Sequence, residues 1–184
     1  MSISITMSHD NEYQDSEYEL ATREMVLSAM DRIQHIEDEL AIRDLVARFA
    51  NACSPPDYES FSKLWVSDSN WKPVWILSNP FSMSATGVTE IVDMVKRLLE
   101  PRDFFAQMVH SGVIEIDGDR ATGRWIMHEI GKGPGDSYYN NFAIYEDAMR
   151  KINGRWFFAR REYKYMFLDS SSFEGQVFPL LTGH

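Results

Sequence analysis

The side chains of this sequence best suited to moving a proton lie in one stretch, Gln107-Met-Val-His110-Ser-Gly112, running through Trp125 to His128-Glu129. It reads as two alternating strands hinged on Asp117-Gly118-Asp119, an Asp-Gly signal for a tight hairpin. The second arm sets Ala121, Gly123, Trp125 and Met127 against Thr122, Arg124, Ile126 and His128. Continuing the first of these faces by one step reaches Glu129. A carboxylate at the end of an apolar face is costly unless paired or protonated, so Glu129 is the expected acid or base, its pKa raised by an apolar pocket.

Strand parity must choose between Gln107 and His110, which differ by three positions. In a regular strand His110 shares the face of Ile114 and Ile116; a bulge near Ser111-Gly112 turns Gln107 and Val109 inward instead. His110 reads as a general acid or base near neutral pH, or as a histidine bonded in a strand or at a subunit contact. His128 belongs to the opposite face from Glu129. The alternative for Glu129 is an ion pair with Arg161, placed on one period-2 face with Phe157, Ala159, Tyr163 and Tyr165. On the next strand Asn141, Ala143 and Tyr145 share a face, so Asn141 and Tyr145 are candidates to hydrogen-bond a carbonyl or enolate, or are polar groups satisfied by neighbours. Phe49, Trp65, Trp71, Trp75 and Trp125 supply an aromatic core or pocket wall suited to a flat apolar ligand.

These residues need a scaffold, and the periodicity supplies one. Residues 1–15 are acidic and polar and read as a disordered leader. From Ser16, apolar residues from Leu20 to Phe49 recur at spacings of three and four until Pro55-Pro56; a break near Gln34-His35 would give two helices. Asp57 can cap a short helix over 58–65, 70–77 is extended, 79–87 is a loop, and 88–99 is an amphipathic helix ended by Pro101. Four long strands follow in meander order, 104–116, 120–131, 137–151 and 155–168, the last two joined by Asn153-Gly154. Residues 169–184 form a tail too apolar to dangle, expected to pack on the pocket or on a neighbouring subunit. Helices first and long strands after predict one α+β domain over 16–168, with helices packed on a strongly curved, mostly antiparallel sheet that forms a cone around an internal pocket.

Composition narrows the class. The chain of 184 residues, 44% hydrophobic and 13% aromatic, is long enough for one sizeable core. A formal charge of −10 and the lack of a basic stripe disfavour nucleic acid and anionic membranes as partners. One cysteine, Cys53, rules out an intramolecular disulfide framework and fits a cytoplasmic protein. No apolar run reaches the roughly 18 residues of a membrane helix. Five histidines without ligand spacing give no expected metal site, and Gly131-Lys-Gly-Pro-Gly135 joins strands instead of opening a helix, so no nucleotide cofactor is expected. Apolar residues on both strand faces predict a homodimer or higher oligomer.

Glu37-Asp-Glu-Leu-Ala-Ile-Arg-Asp-Leu-Val-Ala-Arg-Phe49 before Tyr58-Glu-Ser-Phe-Ser-Lys-Leu-Trp65, with Ile116-Asp-Gly-Asp-Arg-Ala-Thr-Gly-Arg-Trp125 and Ile152-Asn-Gly-Arg-Trp156, resembles the SnoaL-like family of the nuclear transport factor 2-like superfamily. The resemblance covers roughly residues 35–168. It implies the cone fold, shared by dehydratases, isomerases, cyclases, hydrolases, non-catalytic binders and β-type subunits of ring-hydroxylating dioxygenases. Members similar to scytalone dehydratase use a Tyr, an Asp, a His and a polar second-strand residue; those positions fall here on Phe49, Ser54, Gln107 and Glu129, and only Glu129 keeps its chemistry. The expected function is cofactor-free proton transfer by a lyase, isomerase or cyclase on a hydrophobic polycyclic or polyketide-like molecule. Glu129, His110, Gln107 and Tyr145 would be catalytic; Phe49, Trp65, Trp75, Trp125, Asn141, Arg161 and Tyr163 would bind substrate. The alternative is a non-catalytic ligand-binding protein or accessory subunit.

Overall fold

The long apolar periodicity at the start of the chain folds as one helix, α1 (Met7–Ala52), in a computed structural model that describes residues 7–135, 137–176 and 178, with side chains from Tyr18 onward. No glycine or proline interrupts this span, and the helix runs on through Gln34-His35 without dividing into two. The helix also begins inside the stretch read as an acidic leader. The chain divides into two compact units, Met1–Glu39 and Leu40–His184. In the first, Leu20, Met25, Leu27, Met30, Ile33 and Ile36 are exposed.

The second unit holds the sheet and its core. The last turns of α1 bury Ile42, Leu45, Val46 and Phe49, the three-and-four spacing of a helix with one apolar stripe, and Cys53 just past its end is buried as well. Asp57 caps the short α2 (Tyr58–Ser62), its carboxylate accepting from the Ser60 N–H at 3.0 Å. Strand β1 (Val74–Ser78) follows, then β2 (Ser82–Thr86), a strand where a loop was expected. Polar Ser82, Ser84 and Thr86 hide β2 from hydrophobic patterning; its pairing with β1 creates it. Helix α3 (Val88–Leu99) buries Ile91, Met94, Val95 and Leu99, as its periodicity predicts.

The four long strands are β3 (Phe104–Asp117), β4 (Arg120–Gly133), β5 (Ser137–Ile152) and β6 (Arg155–Asp169). The sheet order is β2-β1-β6-β5-β4-β3, and every pairing is antiparallel except that of β1 with β6. The sheet is mixed and does not close. Register shifts at Val109/Gly112, Phe142/Ala143 and Ala148/Met149 bend the strands, and the bent inner face takes the helices.

The aromatic residues form the centre of the core. Phe49 lies 5.1 Å from Phe61, 5.9 Å from Trp75, 5.6 Å from Tyr145 and 5.7 Å from Phe158, ring to ring. Trp71, expected in the core or pocket wall, is instead exposed, with Arg150 lying 3.6 Å over its ring. No helix among the described residues is long and apolar enough to cross a membrane.

Candidate active site

Burial alternates along β4, and Ala121, Gly123, Trp125, Met127, Glu129, Gly131 and Gly133 all face inward. Glu129 therefore sits at the inner end of an apolar row, as the alternation requires. Its cross-strand neighbours are Gln107 on β3 and Asn141 on β5. The bulge between Val109 and Gly112 settles the parity question on β3: Gln107 turns inward and its Nε2 donates to Glu129 Oε1. His110 is thereby displaced to the outer face, where it is exposed and lies 6.0 Å from His128, so it is not beside Glu129. Gly112 permits the bulge because a Cβ there would lie 2.0 Å from Trp125 Cε3.

Glu129 lines a half-open cavity of about 350 Å³ between the sheet and α3. The remaining wall is mostly apolar and aromatic, including Phe49, Trp75, Leu98, Phe105 and Leu168. Gln107, Asn141, Tyr145 and Tyr163 also face it. Of the expected site residues, the cavity thus gathers Glu129, Gln107, Tyr145, Phe49, Trp75, Asn141 and Tyr163. It leaves out His110, Trp65, Trp125 and Arg161. Trp65 is fully buried among Phe49, Phe61 and Phe158, and Trp125 lies beneath Gly112.

Arg161 is the largest departure from expectation. It does not pair with Glu129: its Nε and Nη2 donate to the two carboxylate oxygens of Asp147 at 2.9 and 3.0 Å, with both side chains wholly buried. Its guanidinium lies 3.9 Å over Tyr145, 4.1 Å over Phe49 and 4.2 Å over Phe158. The face expected for it also changes. The shift between Ala148 and Met149 pairs Met149 with Phe158, so Trp156 and Phe158, not Phe157 and Ala159, join Arg161, Tyr163 and Tyr165 inside. Asp147 was missed, although it continues the inward face Asn141, Ala143, Tyr145; that alternation was the available signal.

The arrangement sets the electrostatics. Burial raises the Glu129 pKa above the ordinary 4.5, opposed by Gln107, Tyr163 and Asn141, which favour the charged form, and by the more distant charge of Arg161. Burial, then the charge of Glu129, pushes the phenols of Tyr145, Tyr163, Tyr139 and Tyr165 upward, so all four stay neutral donors. Burial likewise keeps Cys53 a neutral thiol. Gln107 Oε1, Asn141 Oδ1 and Trp75 Nε1 are buried without a hydrogen-bond partner among the described residues. A carboxyl that can be protonated or charged is thus surrounded by polar atoms with bonding capacity to spare, in an otherwise apolar chamber. Among the described residues, no three His, Cys, Asp or Glu side chains are grouped to hold a metal ion.

The tail starts at this cavity. Ser170 lines it, and Phe173 lies 5.1 Å from the ring of Tyr138, another lining residue. Residues 177 and 179–184 of the tail lie outside the described residues.

Residues 34–162 match the model of the SnoaL-like domain. No curated protein matches the sequence. Among solved structures, the hexachlorocyclohexane dehydrochlorinase LinA-type3 from Novosphingobium barchaimii superposes with a TM-score of 0.70 at 15% identity, covering 80% of this chain and 99% of that one. A proposed scytalone dehydratase from Novosphingobium aromaticivorans gives 0.67 at 15% identity, covering 83% and 99%. A proposed aromatic ring hydroxylase from Novosphingobium aromaticivorans gives 0.67 at 21% identity, covering 74% and 94%. At these identities the likeness is one of fold.

Proposed function

Because the chain belongs to the SnoaL-like domain family, we propose that its cavity binds a small hydrophobic polycyclic or polyketide-like molecule and catalyses cofactor-free proton transfer, as a lyase, isomerase or cyclase. The observation that carries this reading is the buried Glu129 carboxyl, paired with no cation among the described residues, at the wall of an apolar chamber. About 350 Å³ lies within the ~300–1,000 Å³ range of small-molecule sites.

In the proposed step, Glu129 as carboxylate takes a proton from carbon next to a substrate carbonyl, and the electron pair moves onto the carbonyl oxygen. Neutral Tyr163, Tyr145 and the Asn141 amide are the candidate donors to that oxygen, acting where charge develops. The proton then returns to another carbon in an isomerisation, or the enolate expels a β-leaving group in an elimination. Gln107 positions the acid. The names of the dehydrochlorinase and the proposed dehydratase both denote eliminations, which favours the lyase form. Arg161 and Asp147 act from below, holding Tyr145 and Phe49 in place.

The test uses 2-tetralone, a bicyclic apolar ketone with acidic α-protons, in deuterated buffer. Wild-type protein should accelerate α-deuteration as followed by proton NMR, and Glu129→Gln should lose about 10²- to 10⁴-fold of that acceleration. Equal rates for the two proteins would sink the assignment of Glu129. Binding of the ketone without exchange would favour a ligand-binding protein or accessory subunit, a reading supported by Phe49, Ser54 and Gln107 standing where related dehydratases carry Tyr, Asp and His. In either form we propose self-association through the outer sheet face, where Met108, His128, Phe142 and Phe167 align in register across four strands.

A further inference from the structure

Arg102 follows α3 and is the one cation in the lining of the cavity among the described residues. Its Nε donates to Leu98 O at 3.2 Å, and its guanidinium lies 4.5 Å over the ring of Tyr139. These contacts fix the side chain through its Nε and one face of its plane. Among the described residues no carboxylate pairs with it, and its two terminal amino groups make no hydrogen bond to protein. This differs from Arg161, whose Nε and Nη2 are taken up by the two carboxylate oxygens of Asp147.

The place for Arg102 is made by β4. At Gly131 a Cβ would lie 2.6 Å from the Tyr139 ring, and at Gly133 one would lie 3.2 Å from Arg102 Nη1. Two inward positions that follow Glu129 on the same face are therefore without side chains, and Tyr139 with Arg102 stacked on it occupies that space. Gly131-Lys-Gly133, read in sequence as part of a connection between strands, builds a slot for a cation at the cavity. The phenols of Tyr139 and Tyr165 lie within reach of both charges: Glu129 raises their pKa and Arg102 lowers it.

From this geometry we propose that the ligand of the cavity carries an anionic group, a carboxylate or an acidic enol, held by the free terminal amino groups of Arg102 while its apolar ring system fills the chamber toward Glu129. The proposal rests on the reading of the cavity as a small-molecule site and names the substrate class for it. A planar guanidinium with both terminal amino groups free suits bidentate contact to a carboxylate, and a partly enclosed site makes such a contact stronger than one in open water. The anion would also fix the orientation of the rings, setting which carbon is presented to Glu129.

The experiment compares 2-naphthoate with 2-naphthamide, equal in ring system and different in charge, by isothermal titration calorimetry at pH 7. Wild-type protein should bind the acid about tenfold more tightly than the amide, with the preference falling as salt is raised. Arg102→Leu should abolish the preference while binding the amide within about twofold of wild type, which also reports an intact fold; Arg102→Lys should keep part of it. An equal affinity of wild type for acid and amide, or a preference that survives Arg102→Leu, overturns the anion proposal and leaves the cavity reading standing. Failure of both probes to bind wild type overturns both readings together.

Discussion

Glu129 is the residue on which the site turns, and its burial has a thermodynamic consequence. Its folded-state pKa is raised above 4.5, so the native state binds the proton more tightly than the unfolded chain does. The stability this contributes is fully present below the ordinary carboxylate pKa and is lost as pH rises through the raised value. Asp147, raised from 3.8 by burial against the opposing pull of Arg161, acts with the same sign. Glu129→Gln is near-isosteric and always neutral. Its stability relative to wild type should therefore increase as pH rises from about 4 to 8, the two curves running parallel above the raised pKa, as measured by urea unfolding at several pH values. A difference independent of pH, or one that shrinks as pH rises, would mean that Glu129 does not carry a raised pKa.

At the scale of elements, the bulge in β3 decides which residues reach the cavity. A regular strand would bring His110 to the inner face; the extra residue before Gly112 brings Gln107 instead. The bulge rests on Gly112, because any Cβ there meets the rigid ring of Trp125 at 2.0 Å. Gly112→Ala should cost about 1–3 kcal/mol of stability in denaturant unfolding and should slow 2-tetralone exchange by displacing Gln107 from Glu129. Full stability together with full exchange would show that the bulge is not what positions Gln107. The same scale explains the missed β2, whose polar residues become a strand by pairing with β1, and the change of face in β6, where the shift at Ala148/Met149 moves Trp156 and Phe158 inward.

For the whole molecule, the outer sheet face carries the remaining apolar surface of the strands. His128 stacks on Phe142 at 4.4 Å, and Phe142 lies 6.5 Å from Phe167. Phe142 is 38% exposed and Phe167 54%, a row suited to a second copy of the chain. The protein should elute as a dimer or larger oligomer in size exclusion with light scattering, and Phe142→Lys should shift it toward monomer by at least tenfold in dissociation constant. A wild-type monomer at all concentrations would remove this face as an interface.

The sequence alone determined the periodicities, and with them α3, the four long strands, the inward face of β4 and the place of Glu129 at its end. Those features follow from local spacing, since one face of a strand or helix must be apolar to be buried. It could not determine which of Gln107 and His110 faces inward, because a single inserted residue reverses every side chain before it. Nor could it give Arg161 to Asp147 instead of Glu129, or place Arg102 over Tyr139, because those partners are joined only by strand register and by the space left at Gly131 and Gly133. Tertiary structure decided these contacts because spacing along one strand fixes a side chain's face, whereas its partner depends on how neighbouring strands are aligned.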